Sequence, residues 1–400
     1  MKYMMRSTFT CILLLTAICL HAQEEIHFTS SWVEAKEKAR ESNKLIFVDC
    51  YTSWCSPCKW MDKNVFNITP VADFYNRNFI NAKFDMEKGE GIELRKTYGV
   101  QSFPTFLFIN DKGAVVHRTG NKMSAEEFLE EGSKASSPYK NFAYLNKKYE
   151  DGERDVPLLI DYYLILFKSQ RTKADQVAKE VVNLISLEQL NSEVGWKAIK
   201  AIAKNDQDKL GAHYIANETL YKRWATEAER DEVKDRIITG TMYGYISAND
   251  KTNFFKKLSY FKNSQSLDRR KQGTMLEALF YLNERRADEY IKVTNQALKN
   301  ELKDDADKLS FLARWGSRSK NYTDVSEPPF LQQSYLMAKR AIALKPDDYS
   351  VQSTFANICL DMKKKEEALV SARKTRLLAD AETSKIQKIA QELLDKVEAL

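Results

Sequence analysis

Glycine and proline are scarce in this sequence, with 13 Gly and 8 Pro spread over 400 residues. Because hairpins and bulges consume these residue types, their scarcity excludes a turn-rich all-β architecture. Only 6 cysteines are present, which excludes a scaffold stapled by many disulfides. The 62 basic and 56 acidic residues are interleaved, so no nucleic-acid partner is expected. What remains is a largely helical chain, long enough for two or three domains.

One apolar stretch, residues 11–20, follows a basic start and precedes a polar sequence. It is too short to span a bilayer comfortably, and its surroundings are typical of a secretory signal peptide. We predict that residues 1–22 form this signal, that cleavage falls near Ala22-Gln23, and that the protein is exported. An uncleaved membrane anchor and a lipid anchor at Cys19 are the alternatives.

Residues 23–137 alternate β-rich runs with helical stretches, the pattern of an α/β domain with a central sheet flanked by helices. Within the first strand the apolar run is interrupted by a single charge, Asp49, which therefore needs a functional reason. The predicted strands are 44–51, 79–85, 105–109 and 114–118, and the predicted helices are 31–42, 55–66, 70–78, 92–98 and 125–134.

The sequence after residue 137 predicts helices. Residues 138–327 contain long amphipathic stretches and no motif of reactive side chains, so we assign them to an all-α domain. In residues 328–400 an offset of 34 superposes Ser334 on Ala368 and Ala338 on Ala372, which is the period of tetratricopeptide repeats. We predict tetratricopeptide-like repeats there, with an ordinary helical bundle as the alternative.

A cysteine motif, Trp54-Cys55-Ser56-Pro57-Cys58-Lys59, lies where the first strand ends and a helix begins. Val48-Asp49 precedes it, and Tyr98-Gly99-Val100 and Phe103-Pro104-Thr105 follow. In this order and spacing the motifs resemble the thioredoxin superfamily over about residues 28–135, and within it the exported branch related to the soluble end of thiol:disulfide interchange proteins. The resemblance implies a periplasmic enzyme without a cofactor, protein or peptide thiol/disulfide substrates, and a membrane electron donor.

The residues of the motif suggest a division of roles. Unpaired backbone N–H groups at a helix N-terminus favour the thiolate of Cys55, so we expect it to be the more exposed cysteine and the attacking nucleophile. Cys58, three residues later, can close a Cys55–Cys58 disulfide and resolve the mixed disulfide. Pro57 rigidifies the loop, and Trp54 and Ser56 border the sulfurs, so all three are predicted to contact substrate.

Further roles follow from the resemblance alone. It implies that Asp49 is a buried carboxylate that takes the proton of Cys58 during resolution, with Lys83 as its partner. It also implies that Pro104 is cis and that Phe103, Pro104 and Thr105 bind an extended substrate strand.

Other interpretations of the cysteine pair are weaker. Zinc requires a second Cys/His pair, haem attachment requires a histidine where Lys59 stands, and a permanent bridge would constrain little chain. We therefore predict a thiol–disulfide oxidoreductase of the reductase type, without a metal. The alternatives are a disulfide isomerase or chaperone, and a partner-binding protein that uses the domain as a platform. The helical region is expected to bind a protein partner or form a homodimer.

Overall fold

The computed structural model describes residues 25–319 and 324–400, so the predicted signal peptide lies outside the described residues. The described chain forms an α/β domain followed by a long series of helices, which confirms the predicted fold class. None of the helices in these two ranges combines the length and apolar character that a membrane span requires.

A four-stranded mixed sheet forms the centre of the first domain, in the order β2-β1-β3-β4. Strand β1 runs parallel to β2 and antiparallel to β3, and β3 runs antiparallel to β4. All residues of β1 except the two terminal ones are buried, as its apolar run predicts. The strands are β1 (Leu45–Tyr51), β2 (Phe79–Asp85), β3 (Thr105–Ile109) and β4 (Val115–Gly120).

Helices cover both faces of this sheet. The helices are α1 (Trp32–Ser42), α2 (Ser56–Met61), α3 (Thr69–Asn78), α4 (Glu90–Thr97) and α5 (Ala125–Ser136). One apolar core joins α1 and α4 to the sheet, and an aromatic-rich core joins α2, α3 and α5 to it. The helix predicted over 55–66 is α-helical only as far as Met61. It continues as a π-helical turn, Asp62–Phe66, which buries Val65 and Phe66.

Fifteen further helices make up the described remainder of the chain. They are α6 (Phe142–Glu150), α7 (Val156–Ser169), α8 (Arg171–Leu184), α9 (Leu187–Leu190), α10 (Glu193–Ile202), α11 (Lys209–Asn217), α12 (Glu227–Ala248), α13 (Lys251–Lys262), α14 (Leu267–Asn283), α15 (Ala287–Lys299), α16 (Ala306–Gly316), α17 (Pro328–Leu344), α18 (Tyr349–Asp361), α19 (Lys365–Leu378) and α20 (Ser384–Glu398). Their apolar faces form three successive cores along the chain.

The C-terminal helices pack as consecutive pairs, α16 with α17 and α18 with α19. Small residues at the superposed positions, Ser334, Ala338, Ala368 and Ala372, are all buried, which lets the helices approach closely. One core extends from α14 to α20, so the predicted boundary at residue 327 falls within a packed helical pair. The three-domain division and the tetratricopeptide assignment stay predictions.

The α/β domain is joined to the helices by a buried ionic cluster. Glu131 on α5 accepts hydrogen bonds from His117 Nε2 at 3.0 Å, from Lys134 at 3.2 Å and from Lys168 on α7 at 3.0 Å. His117 Nδ1 accepts the backbone N–H of Phe142 at the start of α6. Burial opposes the charge of Glu131, but His117 and the two lysines hold its pKa well below the usual range. The cluster therefore fixes α6 and α7 to the sheet.

Gly120 marks a second close approach at the same boundary. A Cβ atom added there would lie 2.8 Å from the carbonyl oxygen of Lys168 and 2.9 Å from that of Pro104. Both neighbours are backbone atoms, so a side chain at this position would push α7 away from the loop that contains Pro104.

We expect Glu131→Gln to lower the free energy of unfolding by about 2 kcal/mol at pH 7, because it leaves buried partners of the carboxylate without their counter-charge. Because the folded-state pKa of Glu131 is lowered, its contribution is present at neutral pH and decreases as the pH falls below about 4. Urea denaturation at several pH values measures both effects. Glu130→Gln is the matched control, since this exposed residue also pairs with Lys134 and should change stability by less than about 0.5 kcal/mol. Equal losses in the two variants would contradict the prediction.

Candidate active site

Cys55 and Cys58 form a disulfide at the start of α2, with an S–S distance of 2.03 Å. Cys55 is the N-cap residue of this helix, and its sulfur accepts the backbone N–H of Cys58 at 3.1 Å. Pro57 lies in the first turn, where its missing N–H costs no hydrogen bond. The predicted pairing of the two cysteines is confirmed.

The two cysteines are equally buried, each with 3% of its surface exposed. The expectation that Cys55 is the more exposed of the pair is therefore wrong for this disulfide form. The cause is the capping geometry, which turns the Cys55 sulfur back over the first turn toward Cys58. Ser56 and Pro57 take the exposed positions of the loop instead.

Asp49 is buried within β1, with 1% of its surface exposed. Lys83, its register partner on β2, places its ammonium 3.1 Å from Asp49 Oδ2, and the side chain of Lys83 also pairs with Asp62. Within the described chain neither oxygen of Asp49 receives a hydrogen bond of good geometry. Because Asp62 lies one helical turn after Cys58, Lys83 links the buried carboxylate to the helix that carries the dithiol.

The environment of Asp49 favours its protonated form. Burial raises its pKa to about 6, although the nearby ammonium of Lys83 opposes the shift. Burial also disfavours the charge of Lys83, but Asp49 and Asp62 outweigh it and raise the pKa of this lysine. At neutral pH Asp49 can thus exchange a proton while Lys83 stays charged.

Two aromatic rings contact each other beside the disulfide. Trp54 and Phe103 meet edge to face, with ring centres 5.7 Å apart. Glu87 accepts the indole N–H of Trp54 at 2.8 Å and pairs with Arg95, whose guanidinium lies 5.3 Å from the ring centre of Phe103. These contacts hold both rings in place next to the cysteine loop.

The Phe103–Pro104 peptide bond is cis, as expected. Thr105 begins β3 opposite Cys50, so this loop lies beside the end of the strand that leads to the cysteines. The Thr105 side chain is buried and donates to the carbonyl of Ser102 at 2.7 Å.

Among the described residues, two further cysteines and His117 lie outside the site. Cys50 and Cys359 are both buried and form no disulfide. His117 belongs to the ionic cluster of Glu131. In the described chain no group of three or more His, Cys, Asp or Glu residues has the arrangement of a metal site.

Two features of the site were not predicted from the sequence. Asp62 could have been found, because helical periodicity places it on the same face as Cys58. The C-terminal end of the chain also reaches the site, where Lys59 donates to the carbonyl of Glu382 at 2.9 Å and Lys385 lies 5.4 Å from the ring centre of Trp54. No local pattern could have indicated contacts across 323 residues.

We expect Asp49→Asn to raise the free energy of unfolding of the disulfide form by about 2 kcal/mol at pH 7.5, since the native fold then no longer buries a carboxylate within β1. The pKa of Asp49 is raised in the folded state, so its destabilising effect develops as the pH rises from about 4 to above 6. Denaturation at pH 4 should therefore show little difference between the variant and the parent protein.

Asp62→Asn is the control for this prediction, because it removes the more exposed carboxylate that pairs with the same lysine. Its effect on stability should stay below about 0.5 kcal/mol. A loss of stability in Asp49→Asn, or a gain that is equal at pH 4 and pH 7.5, would contradict the interpretation of Asp49.

The sequence and fold were compared with known proteins. A family model described as a thioredoxin-like domain matches residues 32–136. Thioredoxin H4 of Arabidopsis thaliana is 37% identical over 92 residues, which cover 23% of this chain and 72% of that protein. Thioredoxin-1 of Drosophila melanogaster is 36% identical over 89 residues, 20% of this chain and 78% of that protein.

Among solved structures, a putative disulphide-isomerase from Bacteroides thetaiotaomicron is 49% identical, with a TM-score of 0.27, and the match covers 29% of this chain and 98% of that one. A protein titled DsbH oxidoreductase is 20% identical, with a TM-score of 0.27, over 32% of this chain and 94% of that one. The identities to the thioredoxins extend over most of the length of those proteins. Through its N-terminal domain, this chain belongs to the thioredoxin family.

Proposed function

We propose that this protein is an extracytoplasmic thiol–disulfide oxidoreductase that reduces protein disulfides. The observation that carries the proposal is the Cys55–Cys58 disulfide at a helix N-terminus, within a domain of the thioredoxin family. The similarity to Thioredoxin H4 and Thioredoxin-1 supports the exchange chemistry, and the direction of electron flow is decided by the potential of the pair.

The reaction consists of two thiol–disulfide exchanges. In the reduced enzyme the Cys55 thiolate attacks a substrate disulfide, so a mixed disulfide forms and one substrate sulfur leaves as a thiolate. The Cys58 thiolate then attacks the Cys55 sulfur, which breaks the mixed disulfide and releases the second substrate thiol. The substrate gains two electrons and the enzyme loses two, which leaves the disulfide form described above. A second dithiol must reduce the enzyme again.

Asp49 is proposed to take the proton of Cys58 in the second exchange. A carboxylate with a pKa of about 6 is a stronger base than an ordinary aspartate and still exchanges its proton at neutral pH. Lys83 positions it through the 3.1 Å ion pair. Because the ammonium is also held by Asp62, Asp49 can change its charge without releasing the lysine.

The proposed substrate groove lies between the exposed loop residues Ser56 and Pro57 and the loop Phe103–Thr105. Trp54 and Phe103 supply flat apolar walls, and the backbone around Pro104 offers an edge for an extended peptide. A groove of this kind suits protein or peptide disulfides more than a small buried ligand.

The enzyme is also proposed to be exported and to be reduced again by an electron donor after each reaction. The predicted signal at residues 1–22 supports a periplasmic location, where a disulfide-exchanging enzyme requires an electron donor. We propose that this donor is a membrane protein. The helices from α6 to α20 are proposed to act as a docking arm for a protein partner or a second copy, with tetratricopeptide-like repeats over residues 328–400, which contain α17 to α20.

The function is tested by the reduction of insulin with dithiothreitol as the electron source. We expect Cys55→Ser to reduce turnover to the uncatalysed rate, because the attacking sulfur is removed. Cys58→Ser, reduced and then incubated with insulin after removal of dithiothreitol, should accumulate a covalent mixed disulfide with substrate, visible by mass spectrometry and reversed by excess thiol. Cys359→Ala, which removes a buried thiol in α18, serves as the control and should retain turnover.

The equilibrium potential of the pair, measured by thiol alkylation in glutathione or dithiothreitol buffers, decides the direction. A value near about −270 mV supports a reductase, whereas about −120 to −180 mV would replace it with an oxidase or isomerase. A pair that does not titrate reversibly would contradict the oxidoreductase proposal and favour the partner-binding alternative.

A further inference from the structure

The C-terminal end of the helical region lies against the cysteine motif. We call residues Glu382–Lys385, at the start of α20, the arm tip. The Lys59 ammonium donates to the backbone carbonyl of Glu382 at 2.9 Å. The Lys385 ammonium lies 5.4 Å from the ring centre of Trp54. The arm tip therefore contacts the residues on both sides of the Cys55–Cys58 pair.

Three exposed lysines lie in or near the cysteine motif. Lys59, Lys122 and Lys385 are exposed, and none of them forms an ion pair within the described residues. Lys122 lies 4.4 Å from the ring centre of Trp60. It also follows Asn121, whose backbone N–H donates to the carbonyl of Pro104 at 3.2 Å, so this lysine borders the proline loop.

The acidic residues nearby do not cancel this charge. Glu87 is occupied by Trp54 and Arg95, and Asp62 is occupied by Lys83. Glu382 is the one acidic residue of the arm tip, and the contact with Lys59 uses its backbone carbonyl. The Glu382 carboxylate forms no ion pair within the described residues and can offset one of the three lysine charges, which leaves positive charge in excess here although the chain as a whole is close to balance.

We propose that the arm tip and the thioredoxin-like domain together form one substrate groove, and that this groove selects disulfides flanked by acidic residues. The proposal rests on the oxidoreductase function above and names its substrate class. Exposed lysines are ordinary on a protein surface. These three differ because they come from three separate segments of the chain and each lies in or next to the cysteine motif: Lys59 belongs to it, Lys385 contacts Trp54, and Lys122 contacts Trp60.

The burial of the sulfurs explains why the rim would control selection. In the disulfide form Cys55 and Cys58 are each only 3% exposed, so the loop around them presents little sulfur at the surface. We expect a substrate to bring its disulfide in on an extended segment, whose flanks then meet the arm tip and Lys122. Charge complementarity of this kind increases the association rate and is screened by salt.

The test compares two disulfide peptides of equal length, one with glutamates and one with lysines beside the cysteines. The full-length protein reduces each with dithiothreitol as the electron source, and kcat/KM is measured at low and high salt. We expect the acidic peptide to be preferred by roughly tenfold at low ionic strength, with most of the preference lost in about 1 M NaCl.

Substitutions of single lysines test whether the arm tip causes this preference for the acidic peptide. Lys385→Ala and Lys59→Ala should each reduce the ratio of the two kcat/KM values by about two- to fivefold. Lys385→Glu should reduce it further, since it reverses the charge. Lys388→Ala is the matched control, because Lys388 lies one turn along the same helix and is paired with Glu392. It should leave the ratio unchanged.

Three outcomes would overturn the proposal. Equal rates for both peptides, with normal reduction of the uncharged 2-hydroxyethyl disulfide, would refute the substrate class and leave the oxidoreductase function intact. Faster reduction of both peptides in Lys385→Ala would show that the arm tip covers the site instead of binding substrate. Failure to reduce any disulfide would remove the proposed function together with this inference.

Discussion

A carboxylate held inside a fully covered strand is the constraint around which the α/β domain is organised. Asp49 lies in the central strand β1, between two apolar cores, and within the described residues Lys83 is its ion-pair partner. A purely structural strand would place an apolar residue there, because burying a carboxylate costs free energy. The pair also ties β1 to β2 and, through Asp62, to the helix that begins at the dithiol. The proposed proton transfer by Asp49 thus opposes fold stability at one residue.

The sequence predicted the parts of the structure that depend on local pattern. The strand containing Asp49 and the helix boundary at Cys55 follow from short-range hydrophobicity and spacing, and the family resemblance supplied Lys83 and the cis bond before Pro104. The burial of Cys55 could not be predicted, because it depends on how the capping sulfur turns over the first helical turn.

Long-range contacts could not be predicted from the sequence for a different reason. The approach of Lys385 to Trp54 results from the summed packing angles of many helices, and no residue near either position encodes it. The same holds for Lys168, which reaches Glu131 from α7. By contrast, helical periodicity could have predicted the position of Asp62, since this residue follows Cys58 by one helical turn.

The glycine at the end of β4 has a mechanical consequence. Gly120 carries a hydrogen in place of a side chain, and the carbonyl oxygens of Lys168, at the end of α7, and of Pro104 both lie close to that position. The first helices after the α/β domain are thus packed against the loop that contains Pro104, while the start of the last helix contacts Trp54. The helical region therefore meets the α/β domain at two separate contacts, and a partner that bends it would transmit force to the residues around the disulfide.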